Sequence, residues 1–412
     1  MKSVCILLQS HYETDIRVTR KVEALVAAGY HVDVLALRSA YSKGKNYSVD
    51  GANLYTIALG RKRGSLARYL FEYVVFMLWA FFKLGGLMRR RPYDVIDANN
   101  LPDFLVFAAV SAKWKGAKIV FDMHEITPEF YISKYKIRED SRLVRFLKFV
   151  ERKSIQFSDY VITINEPIQR LLECRGLEPS KSTIVMNSVD EAFFASTAST
   201  NVPFRRPAFV MMYHGTLTHI YGLDIALQAF GRIHDRMPGS EFWILGDGTE
   251  KGSLEELAGK LGVKSKVKFV GTVRPQEIPA WLDLCDIGVL ATRQDVFLDL
   301  SFSSKLSEYI IMNKPVISSR LRTIRHYFSE EALAYFEPNQ PIDLAKQMLQ
   351  MYENPALRVA FAVRAKHEYE PIRWGIMKER YLALMETATR QSKKVYQRAV
   401  TPSPSHDASL TV

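Results

Sequence analysis

The chain is poor in cysteine, with only Cys5, Cys174 and Cys285 among 412 residues. Three thiols that far apart exclude a disulfide framework and a thiolate metal site. Long apolar runs are missing too. None reaches the roughly 18–20 residues that a membrane-spanning helix requires. The opening segment has only Val4–Leu8 as an unbroken apolar stretch before Gln9, too short for a signal-peptide core and better suited to a first strand. The expected location is therefore the cytoplasm. Zinc-ligand spacing, a helix-turn-helix signal and an RNA-recognition motif are also lacking, so no nucleic-acid partner is expected.

Apolar residues make up 48% of the chain, enough for sizeable cores, and at about 100–200 residues per domain the length predicts two domains. Basic residues outnumber acidic ones by 56 to 44, a net charge of +12. The excess is uneven: residues 1–190 hold 29 Lys and Arg against 20 Asp and Glu, and residues 191–412 hold 27 against 24. A positive first half favours a polyanion or an anionic surface as partner.

Short apolar runs alternate with helical stretches throughout. In the first half strands are expected at Val4–Leu8, Val32–Leu37, Tyr55–Ala58, Val95–Ala98, Lys118–Phe121, Tyr160–Ile164 and Thr183–Met186. In the second they are expected at Phe209–Tyr213, Glu241–Leu245, Lys268–Val270, Ile287–Leu290, Pro315–Ser318 and Leu333–Phe336. Unbroken apolar strands separated by helices predict two doubly wound α/β domains with parallel sheets. Residues 195–207 fit a linker, and the polar residues from Gln391 fit a disordered tail. Two such sheets should face each other across a cleft, with ligands at the carboxyl ends of the strands.

Four places carry polar groups suited to that cleft. The turn after Tyr213 holds Gly215 and Gly222, which would let the backbone approach a phosphate or simply make a tight turn. The Gly246-Asp247-Gly248 turn suits the rim, with Asp247 organising it. Ser303 or Ser304 caps a helix running to about Met312, and Lys305 in its first turn opposes the macrodipole unless an anion binds there. Glu308, one turn on, could accept hydrogen bonds from sugar hydroxyls or pair with Lys305 as an ordinary surface contact. Arg293 lies upstream of this helix. In the first half His124 follows the strand Lys118–Phe121, placed either as a proton carrier or phosphate ligand or as a buried structural histidine.

Taken in order, these segments resemble retaining glycosyltransferases of family 4, which have the two-Rossmann-domain GT-B fold. The matching stretches are residues 15–25, 121–130, 161–166, 186–193, 213–218, 244–248, 268–271 and 304–318, with Ser304-Lys305-Leu306-Ser307-Glu308 in the last. The resemblance implies an acceptor-side domain at 1–190, rejoined by a helix near 373–390, and a donor-binding domain at 191–372. It implies transfer of a sugar from a nucleoside diphosphate sugar with retention of configuration and without a metal or other cofactor. No D-x-D occurs in the sequence, in keeping with that last implication. Glu308 matches the second Glu of the family's E-x7-E and would hold the donor ribose. Lys305, Ser303 and Ser304 would face the diphosphate, as would the turn at Gly215 and Thr216. His124 matches the histidine beside the reacting sugar.

Three departures stand out. Leu300 occupies the place of the first Glu of E-x7-E, and Thr216 and Tyr221 stand where the family often has cations. Arg293 and Lys305 are expected to compensate, with His219 as a further contact. A non-catalytic relative in a polysaccharide assembly complex and a sugar-nucleotide epimerase remain alternatives.

The acceptor in this fold generally binds the N-terminal domain. Here residues 61–91 run from Arg-Lys-Arg through an aromatic-rich stretch to Arg89-Arg90-Arg91, with Tyr73–Phe82 wholly apolar. Such a helix suits either the surface of an anionic membrane or a place buried against the sheet. A second basic stretch spans Lys134–Lys153. Together with the positive first half, these features predict peripheral association with the cytoplasmic membrane face and a lipid-linked saccharide acceptor.

Overall fold

Parallel strands buried on both faces need helices on both sides of the sheet, and the alternation of the sequence supplies them. The computed structural model describes residues 2–59, 66–195 and 206–400. It divides into two compact units: residues up to Val185 together with those from Lys378 onward, and Met186–Met377.

The first unit contains β1 (Ser3–His11), β2 (His31–Leu37), β3 (Asn46–Val49), β4 (Ala52–Ile57), β5 (Val95–Asn99), β6 (Lys118–Met123), β7 (Tyr160–Thr163) and β8 (Ser182–Ile184). They form one sheet in the order β3-β4-β2-β1-β5-β6-β7-β8. All pairings are parallel except β3 with β4. Strand order reverses beside β1, which is flanked by β2 and β5. In an open α/β sheet the crevice at such a reversal is where ligands bind.

The second unit contains β9 (Phe209–His214), β10 (Ser240–Leu245), β11 (Val267–Gly271), β12 (Ile287–Leu290), β13 (Val316–Ser319) and β14 (Ala334–Phe336). Their order is β11-β10-β9-β12-β13-β14, all parallel. The corresponding reversal lies between β9 and β12. His214 and Gly215 emerge from the end of β9, and Arg293 follows the end of β12.

Two sequence expectations need correction. The helix Trp374–Val400 continues past Gln391, so the disordered tail cannot begin there; residues 401–412 and the linker at 196–205 lie outside the described residues. This helix is held to the first sheet by Tyr381, whose hydroxyl donates to Asp97 at 2.9 Å, and by an ion pair between Lys2 and Glu386.

The second correction concerns apolar length. The helix Leu66–Leu87 contains a 20-residue portion, Arg68–Leu87, that is long and apolar enough to cross a membrane by length and composition alone. Counting only unbroken runs missed it because Glu72 and Lys83 interrupt them. Phe76, Ala80 and Leu84, spaced one turn apart, are fully buried, and Glu72 is buried with Arg68 at 3.1 Å. One face of the helix is thus docked in its own unit. The opposite face exposes Leu70, Phe71, Val74, Leu78 and Phe82. Residues 61–63 lie outside the described residues.

Candidate functional site

In the second unit the site begins where β9 stops. The strand is buried throughout, and the chain leaves it through Gly215 at φ +125°. A side chain there would suffer twice, since that backbone shape disfavours L residues and a Cβ would lie 2.2 Å from Cε of Lys305. The glycine therefore admits the lysine stem against the turn. Gly222, at φ +59°, ends the same loop, and a Cβ there would meet the carbonyl oxygen of Ala291 at 2.1 Å. That second glycine lets the two loops pack closely. The Gly246–Gly248 turn lies against Leu217, whose N–H donates to the Asp247 carbonyl at 2.9 Å. The Asp247 carboxylate accepts from the Gly248 N–H at 2.8 Å, so it does organise its own turn.

The helix Ser304–Ile311 carries the polar groups. Its orientation is fixed by Tyr309, a fully buried ring whose hydroxyl donates to the Met212 carbonyl of β9 at 2.8 Å. The preceding residue, Glu308, then meets His214 at the end of β9, with Oε2 2.6 Å from Nε2. Lys305, one turn earlier, projects its ammonium over the Tyr221 ring at 4.1 Å and the Tyr213 ring at 5.9 Å. It has no ion pair among the described residues. Ser303 occupies the cap position but its side chain makes no capping bond, so the hydroxyl does not satisfy the helix-start amides. Ser304 opens the helix and is exposed. Thr216 is exposed, and its carbonyl accepts from the Tyr213 hydroxyl at 2.9 Å.

Gly215, Lys305, Glu308 and the helix start are thus brought together. Arg293 is not a spare cation, which corrects the expectation that it compensates for missing charge. Its guanidinium pairs with Asp224 at 2.6 Å, donates to the His219 carbonyl at 3.0 Å and donates to Asn339 at 3.1 Å. Committed on three sides, it braces the loop between Thr218 and Asp224. The sequence does not single out His214 as Glu308's partner, because it looks like one more residue of a buried strand. Tyr221, noted only as a lost cation, places its ring against the Lys305 charge, where a cation–π contact is favourable. Leu300 is buried, as a leucine in that place should be.

In the first unit a cavity of about 160 Å³ opens at the carboxyl ends of β1 and β5, the point where strand order reverses. Gln9, Asp15, Arg17, Asn100 and Glu125 are among its lining residues. Burial raises the Glu125 carboxyl to about 7, opposed by the Arg17 guanidinium. Near neutral pH this group can therefore both hold and accept a proton. His124 is 2% exposed and is not among the lining residues. Its Nε2 lies 2.8 Å from Oδ1 of Asn99 and 3.5 Å from Asp122, and its backbone N–H donates to Asn100 at 2.8 Å.

Residues 16–193 match the model of Glycosyltransferase Family 4, and residues 208–354 match that of Glycosyl transferases group 1. The chain belongs to the group 1 glycosyltransferases. The two matched segments fall one on each parallel sheet. An uncharacterized glycosyltransferase of Methanocaldococcus jannaschii is 22% identical, over 87% of this chain and 90% of that one. A glycosyltransferase structure from Rickettsia africae superposes with TM-score 0.69 at 14% identity, covering 94% of this chain and 98% of that one. HepE of Anabaena, solved with UDP, superposes at 0.64 with 15% identity, covering 97% and 100%. The fold of this glycosyltransferase is GT-B.

Proposed function

We propose that this glycosyltransferase moves a sugar from a nucleoside diphosphate sugar, with retention of configuration, to a lipid-linked saccharide at the cytoplasmic face of the membrane. The observation that carries the donor half is the Lys305 ammonium, free of any ion pair among the described residues, held between the Gly215 turn and an uncapped helix start. A diphosphate leaving group develops negative charge as the glycosidic bond breaks. A fixed ammonium and free helix-end amides stabilise that charge without reorganising, and no metal ion enters this reading. The departing phosphate then takes the proton of the incoming hydroxyl on the same face of the sugar. Glu308, oriented by His214, accepts hydrogen bonds from the donor ribose. His124, held by Asn99 and Asp122, stands beside the reacting sugar. HepE has been solved with UDP and with UDP-glucose, which supports a nucleotide donor of that class.

A thermal-shift panel of UDP, GDP, ADP and their sugars tests the donor half. One nucleotide series should stabilise the protein, by about 2.7 kcal/mol at a concentration 100 times its Kd. A flat response to every nucleotide sinks the proposal. Sugar transfer by the responding series separates an enzyme from a binding-only relative, and conversion of the donor without an acceptor would favour an epimerase.

The exposed stripe of the helix Leu66–Leu87 supports the membrane half, with Arg89, Arg90 and Arg91 exposed just beyond its end. The helix Arg142–Phe157 likewise exposes Phe146 and Phe149 among Arg142, Arg145, Arg152 and Lys153. Aromatic side chains entering the acyl boundary and cations near anionic lipid headgroups act together, each cation contributing about 1 kcal/mol. The protein should pellet with phosphatidylglycerol vesicles and less with phosphatidylcholine ones. Replacing Phe71 and Phe82 together by Ser should weaken that binding at least about tenfold, since each buried Phe contributes roughly 1.5–3 kcal/mol. Unchanged pelleting of the double variant would remove the helix from the membrane contact.

A further inference from the structure

Near its N-terminal end the docked face of the helix Leu66–Leu87 borders open space. Tyr69, Glu72 and Tyr73 project from that face into a cavity of about 330 Å³, closed on the other side by Tyr131, Lys134 and Tyr135 of the helix Thr127–Tyr135. This volume lies within the roughly 300–1,000 Å³ of small-molecule sites. The cavity shares Gln9, Tyr73 and Leu101 with the smaller one at the sheet's reversal point, so the two form one groove ending at Glu125.

The groove's chemistry is directional. At the Glu125 end are carboxyl and amide groups suited to sugar hydroxyls. In the middle, tyrosine rings offer flat apolar faces for the C–H side of a pyranose, with hydroxyls at their edges. At the far end Lys134 is exposed, its ammonium 5.2–5.4 Å from the ring centroids of Tyr69, Phe130 and Tyr135. Lys134 has no carboxylate at ion-pair distance among the described residues. The one carboxylate in the lining, Glu72, is already paired with Arg68 at 3.1 Å. This positive rim adjoins the exposed apolar stripe, since Leu70 and Phe71 follow Tyr69 directly in the same helix.

We propose that the groove is an acceptor subsite for a saccharide joined to lipid through a phosphate, with the phosphate at Lys134. The saccharide extends from there over the tyrosines toward Glu125, and the lipid leaves along Leu70, Phe71 and Val74. This assignment deepens the acceptor reading above and rests on it. It predicts that the charge recognised belongs to the linkage, not to the sugar ring, because the cation sits at the lipid end.

Calorimetric titration with glucose 1-(octyl phosphate), octyl β-glucoside, octyl β-glucuronide and octyl phosphate tests it. The phosphate-linked glucoside should bind at least about tenfold tighter than the neutral glucoside, as a charge-assisted contact should give. Lys134→Met should abolish that difference while leaving the neutral glucoside's affinity and the thermal shift with UDP unchanged. Equal binding of all four, or of none, overturns the subsite. Preference for the glucuronide overturns the linkage assignment, and equal affinity for octyl phosphate makes the site one for a phospholipid headgroup. Loss of nucleotide shifts in the wild type, with the Lys134-dependent difference intact, would sink the transfer reading and leave the subsite standing.

Discussion

Lys305→Met should lower kcat/KM for sugar transfer by about 100- to 1,000-fold, the usual loss when one fixed group that stabilises developing charge is removed. Methionine keeps most of the aliphatic stem that lies against Gly215, so the change removes the charge and little packing. Stability should then stay within about 1 kcal/mol of wild type, as expected for a substitution that preserves volume. Lys305→Arg should not rescue, because the planar guanidinium differs in shape from the compact ammonium and the stem already lies against the Gly215 backbone. Arg293→Met gives the contrasting result. It breaks the pair with Asp224 and frees the loop that Arg293 braces, so the protein should lose stability as well as activity. Steady-state kinetics and urea unfolding on the three variants separate the cases. Activity of Lys305→Met within about threefold of wild type would remove Lys305 from the transition state.

The different outcomes for Lys305 and Arg293 show what the sequence could and could not disclose. Lys305 and Glu308 were legible because both lie on one short helix, where spacing alone puts them on adjacent faces. Arg293 was legible as a cation but not as a committed one, since Asp224 and Asn339 are distant in sequence and reach it only through the fold. The apolar strands were legible for a related reason: burial on both faces leaves unbroken runs, whereas β3, Asn-Tyr-Ser-Val at the sheet edge, is half exposed and looks like a loop. The helix Leu66–Leu87 was legible as apolar, but apolarity does not say which face docks. Phe76, Ala80 and Leu84 are inside and Leu70, Leu78 and Phe82 outside, although the two sets are chemically alike. That its docked face leaves a cavity beside Tyr69, Glu72 and Tyr73 becomes visible only with the helix Thr127–Tyr135 in place opposite.

The sequence hides Lys21 for the same reason, and the second large effect is expected there. Between Arg20 and Val22 in an amphipathic helix it looks like a solvated lysine, yet it is 4% exposed and forms an ion pair with Asp122 of β6. Asp122 also lies 3.5 Å from His124, and the Lys21 ammonium is 5.4 Å from the Tyr381 ring, whose hydroxyl bonds Asp97 of β5. Lys21→Met should destabilise the first unit by about 3–5 kcal/mol, because it leaves a buried carboxylate without its counter-charge. Replacing Asp122 by Leu in the same chain should recover most of that loss, since an apolar pair costs little where a lone charge costs much. Urea midpoints of the two single variants and the double variant measure the coupling, and equal destabilisation of Lys21→Met and the double variant would show that the pair is not the cause. The double variant also isolates the role of Asp122 toward His124. Folded but deprived of the carboxylate that helps orient the imidazole, it should transfer sugar about 10- to 100-fold more slowly, as loss of an orienting partner usually costs. Full activity in the folded double variant would make the cluster a structural element of the sheet and confine the chemistry of the first unit to the groove beside it.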